Sequence, residues 1–109
     1  MTIKVIENEM QFEDIKNDTK AFMLLKHSLT CPISAAAEAE YRSFQEEANL
    51  PLYILHVQEA RELSNTIADT FKVKHESPQV LLFNNDQVVW HESHQRIKQD
   101  ILASHAEKL

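Results

Sequence analysis

The chain has 109 residues, 43% hydrophobic and 26% charged, which suits one globular domain (1–109) able to bury roughly 65% of the surface its unfolded chain exposes. Seventeen acidic residues against eleven basic ones leave a net charge of -6 with no basic patch, so neither nucleic acid nor an anionic membrane is an expected partner. A single cysteine cannot close an internal disulfide, which points to a reducing, cytoplasmic compartment, and no signal-peptide pattern (Met1 to Asn8) or membrane-length apolar run is read.

Ile3 to Ile6 reads as a short first strand and Glu9 to Asn17, with Phe12 and Ile15 on one side, as a first helix. Ala21-Phe22-Met23-Leu24-Leu25 is an unbroken apolar run, the pattern of a central strand covered on both faces. Pro32 to Ala48 reads as a helix, because proline suits the first helical position and Ile33, Ala37, Tyr41, Phe44 and Ala48 recur at helical spacing as its buried stripe. Asn49 is the expected cap at its end. Leu52 to Val57 then forms a strand, completing a strand-helix-strand unit with parallel pairing and a right-handed crossover.

Arg61 to Phe71 carries Leu63, Ile67 and Phe71 at four-residue spacing and reads as another helix. A polar loop from Lys72 to Ser77 leads to Pro78. Val80 to Phe83 and Val88 to Trp90 flank Asn84-Asn85-Asp86 as an antiparallel hairpin. The chain has no glycine, so the left-handed turn positions are expected to fall to Asn and Asp. A last helix spans about Gln95 to Ala106, with Ile97, Ile101 and Leu102 facing inward. The fold class that follows is α/β: a mixed central sheet with helices on both faces, a final antiparallel hairpin and a C-terminal helix.

Cys31 directly precedes the helix-starting Pro32, where free backbone N–H groups and the helix dipole favour an anion. A thiolate is therefore expected there rather than the small buried hydrophobe that a solitary cysteine usually is. Ser34, three residues on, completes Cys31-Pro32-Ile33-Ser34. A serine cannot resolve a mixed disulfide as a second thiol would, so an outside thiol must do so. Ser34 is left with two roles, donating to the thiolate or satisfying an N–H of the first turn, and whether it is native or an engineered replacement for cysteine is left open.

Cis is the minority state of an X-Pro bond, but in the fold proposed here a cis Ser77-Pro78 bond is expected at the head of the hairpin, bringing the backbone of Ser77 beside Cys31 to pair with an extended chain or a small thiol; the other reading is an ordinary turn proline opening an antiparallel strand. Lys26 and His27 read as solvated residues of the loop after the central strand, although their positive charge is close enough in sequence to act on the sulfur. No metal site is expected: His91-Glu92-Ser93-His94 lacks the helical H-E-x-x-H pattern.

The strings Thr30-Cys31-Pro32-Ile33-Ser34, His75-Glu76-Ser77-Pro78-Gln79 and Val88-Val89-Trp90-His91 resemble the thioredoxin superfamily, and within it the monothiol bacilliredoxins of bacillithiol-using bacteria. The chain departs from ordinary thioredoxin in lacking W-C-G-P-C and in placing Leu25 where thioredoxins carry a buried carboxylate. The resemblance implies a thioredoxin fold and an enzyme in which Cys31 takes bacillithiol from S-bacillithiolated client proteins. It also makes Thr30, Pro32, Ile33 and Ser34 supports of the site and Ser77 and Pro78 its substrate contacts. Bacillithiol is then substrate or co-substrate, and free bacillithiol, a dithiol bacilliredoxin or a flavoprotein disulfide reductase restores Cys31.

Two other readings stand beside it. One is a monothiol, glutaredoxin-like protein using glutathione or an iron-sulfur cluster, against which the stiff Pro32-Ile33 pair argues. The other is a thioredoxin-fold binding module with a passive Cys31. A monomer is expected, because no apolar stripe is left over once the core is assigned.

Overall fold

The computed structural model describes residues 3–109, so Met1 and Thr2 of the N-terminal stretch lie outside the described residues. Strand β1 (Lys4–Val5) leads into helix α1 (Glu9–Asp18), then β2 (Ala21–His27) and α2 (Pro32–Gln45). Next come β3 (Leu52–His56), α3 (Arg61–Phe71), β4 (Gln79–Asn84), β5 (Gln87–Ser93), a short 3-10 turn (His94–Arg96) and α4 (Gln99–Glu107). The five strands form one sheet in the order β1-β3-β2-β4-β5, with β1, β3 and β2 parallel and β4 and β5 antiparallel to their neighbours.

Strand alternation sorts the core into two layers. Met23 and Leu25 pack with Ala37, Tyr41 and Phe44 of α2 and Leu102 and Ala106 of α4. Phe22 and Leu24 face the other way, onto Phe12 of α1 and Leu63 and Ile67 of α3. Burial on both faces is why β2 reads as an unbroken apolar run rather than an alternating one. The Tyr41 hydroxyl ties the first layer to the sheet: it lies 2.9 Å from the carbonyls of both Met23 and Tyr53 and accepts from the Tyr53 N–H.

Several boundaries differ from expectation. Helix α2 stops at Gln45, and Glu47 and Ala48 donate to Phe44 and Gln45 in a tightened turn, so Asn49 is not its cap. The buried stripe of α2 runs through Ser34, Ala37, Tyr41 and Phe44, while Ile33 is 37% exposed. Helix α4 starts only at Gln99, because His94 enters the left-handed region at φ 58° and a single 3-10 turn follows, although Ile97 is buried as expected. Asn85 and Asp86 do take the left-handed conformations of a two-residue hairpin turn, but so do Lys72, at the end of α3, and His94.

Lys26 and His27 are the clearest correction. Both belong to β2, paired with Leu55 and His56 of β3, and both are buried rather than solvated. The ladder continues two residues past the apolar run, so alternation sends Lys26 to the α3 face. There its Nζ lies 3.0 Å from the Ser64 carbonyl and 3.3 Å from His75 Nδ1. His27 goes to the α2 face, with Nε2 2.9 Å from Glu38 Oε1, and loss of hydration lowers its pKa despite that carboxylate.

Burial brings the Lys26 ammonium pKa down from 10.5 to about 8. In the unfolded chain it keeps its proton to about 10.4, so between those values the unfolded state binds more protons and stability rises with pH. Urea midpoints are expected to climb from pH 7.5 to 9.5 more steeply for the natural protein than for Lys26→Met. Parallel curves for the two would rule out a buried charge at this position.

Candidate functional site

The site grows from the end of β2. After His27 the chain turns through Ser28-Leu29-Thr30 and reaches Cys31, the N-cap of α2, at φ -104° and ψ 122°. Its carbonyl accepts the first helical bond, from Ala35 at 3.1 Å, while its side chain makes no capping bond and stays partly exposed. Pro32 holds the first helical position, where a missing N–H costs nothing. The N–H groups next in line therefore face the sulfur.

The Ser34 N–H is the main cause of a Cys31 pKa below its ordinary value; loss of hydration opposes it, and the Ile33 N–H and the Ser34 hydroxyl add smaller lowering effects. Ser34 is fully buried and its Oγ accepts from the Ser28 N–H at 3.2 Å. With that lone pair occupied, the hydroxyl hydrogen is free to point at the sulfur. The two roles left to Ser34 by the sequence thus resolve in part: the hydroxyl does satisfy an N–H, but one of the preceding loop. Lys26 and His27 contribute nothing to the lowered pKa, which is the work of the helix-opening donors.

Gln58, which drew no attention in the sequence, braces the same loop. Its Oε1 accepts from the Leu29 N–H at 3.1 Å, and its Nε2 donates to Ser28 Oγ at 2.8 Å and reaches Thr30 Oγ1 at 3.5 Å. A glutamine just past β3 carries no sequence signature, since only the parallel pairing of β2 and β3 brings the two segments together.

The Ser77-Pro78 bond is cis, as expected. Pairing of Lys26 with Gln79 places Pro78 at the sheet end from which the Cys31 loop departs. The Pro78 carbonyl accepts from the His94 N–H at 3.0 Å, and His94 in turn shares a groove with Pro32 and Ile33. Thr30 and Ile33 are exposed, and the Ser77 hydroxyl turns inward. Glu76 is held by the Ser93 hydroxyl, which lowers its pKa. Among the described residues no cluster of three or more His, Cys, Asp and Glu side chains is arranged to hold a metal ion.

Comparison with known proteins agrees with this geometry. A solved structure described as a candidate oxidoreductase with a thioredoxin fold is 43% identical, with a TM-score of 0.88 over 96% of this chain and 92% of that one. A mutant thioredoxin of Halobacterium salinarum superposes at TM-score 0.80 with 16% identity, over 97% and 89% of the two chains. Mitochondrial thioredoxin 3 of Saccharomyces cerevisiae gives 0.77 with 14% identity, over 98% and 95%. At such identities these last two speak for the thioredoxin fold alone. The family model of monothiol bacilliredoxin BrxC matches residues 4–102, from β1 into α4 and across every part of the site, and this chain therefore belongs to the monothiol bacilliredoxin family.

Proposed function

We propose that this protein removes bacillithiol from S-bacillithiolated client proteins by monothiol exchange at Cys31. The observation that carries the reading is a partly exposed sulfur at the N-cap of α2 with no second thiol in the chain, its pKa lowered chiefly by the Ser34 N–H, with the Ile33 N–H and the Ser34 hydroxyl adding to the effect. A thiolate is the nucleophile of disulfide exchange, and donors that stabilise it keep it available at neutral pH.

The Cys31 thiolate attacks the bacillithiol sulfur of a client mixed disulfide. A bond forms between Cys31 and bacillithiol as the client's disulfide bond breaks, and the client sulfur leaves as a thiolate that takes a proton from water. One disulfide replaces another with no net oxidation. Thr30, Pro32, Ile33 and Ser34 shape the approach to the sulfur, and Ser77 and Pro78 offer backbone to the incoming chain. Ser34 cannot expel bacillithiol, so free bacillithiol, a dithiol bacilliredoxin or another thiol fed by a flavoprotein reductase must clear Cys31. A solitary cysteine keeps its free thiol where disulfides are continually reduced, which favours work in the cytoplasm. No helix among the described residues is long and apolar enough to cross a membrane.

The test is the rate at which bacillithiol and glutathione are taken from the same client mixed disulfide. Faster transfer of bacillithiol, abolished by Cys31→Ala, is expected. Equal rates for the two thiols would remove the substrate assignment, and activity surviving in Cys31→Ala would remove the nucleophile.

A further inference from the structure

A groove of about 220 Å³ opens beside Cys31, between the first turns of α2 and the segment joining β5 to α4. Pro32, Ile33 and Ala37 form one wall, and His94, Ile97 and Lys98 the other. At about 30 Å³ per water it has room for about seven waters, the size of a fragment rather than a whole ligand. Its lining begins at the residue after Cys31, so a group disulfide-linked to that sulfur can reach it.

Two features set the groove apart from a chance crease. Its one charged lining residue is the cation Lys98, with the His94 imidazole beside it, on a chain whose net charge is -6. Lys98 is exposed and makes no ion pair among the described residues. Glu76 faces His94 closely enough for that imidazole to help lower its pKa, and Glu40 accepts from the Gln99 N–H, one residue beyond Lys98, at 2.7 Å, so Lys98 is the groove's cation without an ion-pair partner and His94 the hydrogen-bonding partner.

His94 is also held in place at a cost. Its φ of 58° is a conformation that costs a non-glycine residue about 1 kcal/mol or more, and its N–H is tied to the Pro78 carbonyl. Elsewhere in the chain such positions are filled by Lys72 at the end of α3 and by Asn85 and Asp86, the last two being the usual tolerant types. Here the backbone contact fixes an imidazole at the groove rim.

We infer that this groove seats the carboxylate-bearing end of the low-molecular-weight thiol carried on Cys31, with Lys98 and His94 as its anion contacts. This rests on the exchange reaction proposed above and adds how that thiol is chosen: by negative charge placed a short span from the sulfur, over an apolar floor. Removing the charge from Lys98 weakens the seat without touching the donors that activate Cys31.

The experiment uses 2-thiopyridyl mixed disulfides of bacillithiol and of cysteinylglucosamine, which is bacillithiol without its malyl carboxylates. Cys31 attacks the carrier sulfur and released thiopyridone is followed by absorbance. The natural protein is expected to favour bacillithiol by about fivefold, the worth of one or two exposed charge contacts. Lys98→Gln and His94→Asn, the latter chosen because Asn tolerates the left-handed conformation, are expected to lose that preference, and Lys98→Arg to keep it.

Added salt is expected to erode the preference in the natural protein. Variants that keep the full preference, or that slow equally on both probes, overturn the groove assignment. A natural protein that takes up glutathione as fast as bacillithiol overturns the functional reading. If Lys98→Gln still loses the carboxylate preference in that case, the groove stands as the anion site of a less selective exchanger.

Discussion

Iodoacetamide is expected to alkylate Cys31 at nearly full rate well below the pH of about 8.5 that a free thiol requires. The cause is local: two backbone N–H groups of the opening turn of α2 and one hydroxyl point at a sulfur that caps the helix without a capping bond of its own. The hydroxyl is the part that mutation can reach. Ser34 Oγ accepts from the Ser28 N–H, which leaves its hydrogen free to be donated to the sulfur. Ser34→Ala is therefore expected to move the alkylation profile to higher pH and slow the reaction several-fold at pH 6.5, while the amide contribution persists. Ser34→Cys is expected to restore a donor at the same place and to let an internal disulfide expel the carried thiol. A natural-protein rate that rises only near pH 8.5 would show that the helix-opening donors do not act on this sulfur.

Phe83→Ala is expected to cost about 3–5 kcal/mol, a large part of the roughly 5–15 kcal/mol that holds a domain of this size folded. Phe83 is fully buried and stacks on Phe22 at 4.6 Å, with Phe71 at 5.1 Å and Phe12 at 5.5 Å edge-on. Three elements meet on that ring, α1, α3 and the sheet, so they cannot close the void together without separating from one another. Urea unfolding measures the loss, and a change under about 1 kcal/mol would mean that the ring cluster repacks freely. Phe83 stands at the far end of β4 from Pro78, so the alkylation profile of the folded protein is expected to be unchanged.

Much of the site is legible before folding is considered because its chemistry is sequence-local. A cysteine before a helix-starting proline places N–H donors at the sulfur through helix geometry alone, and Ser34 follows within one turn. The proline at the hairpin head is equally visible. Gln58 and His94 are not, because each acts on the site across a gap in sequence that the parallel β2–β3 pairing or the β5–α4 junction closes.

The same division explains the errors of placement. A run of apolar residues marks a strand only while its neighbours remain apolar, so Lys26 and His27 read as loop although the ladder with β3 and β4 carries Lys26 onward. What makes a buried lysine tolerable is the Ser64 carbonyl and the His75 imidazole, which local sequence does not reveal.

By itself the sequence determined the order of strands and helices, the two-faced burial of β2, the cap position of Cys31 and the absence of a resolving thiol, all matters of periodicity and near neighbours. Only the tertiary structure decided that Ser34 is locked by Ser28, that Lys26 lies inside, and that His94 meets Pro78 and shares a groove with Ile33. Those contacts join residues distant in sequence, and they exist because sheet register, set by the whole core, brings them within hydrogen-bonding or packing distance.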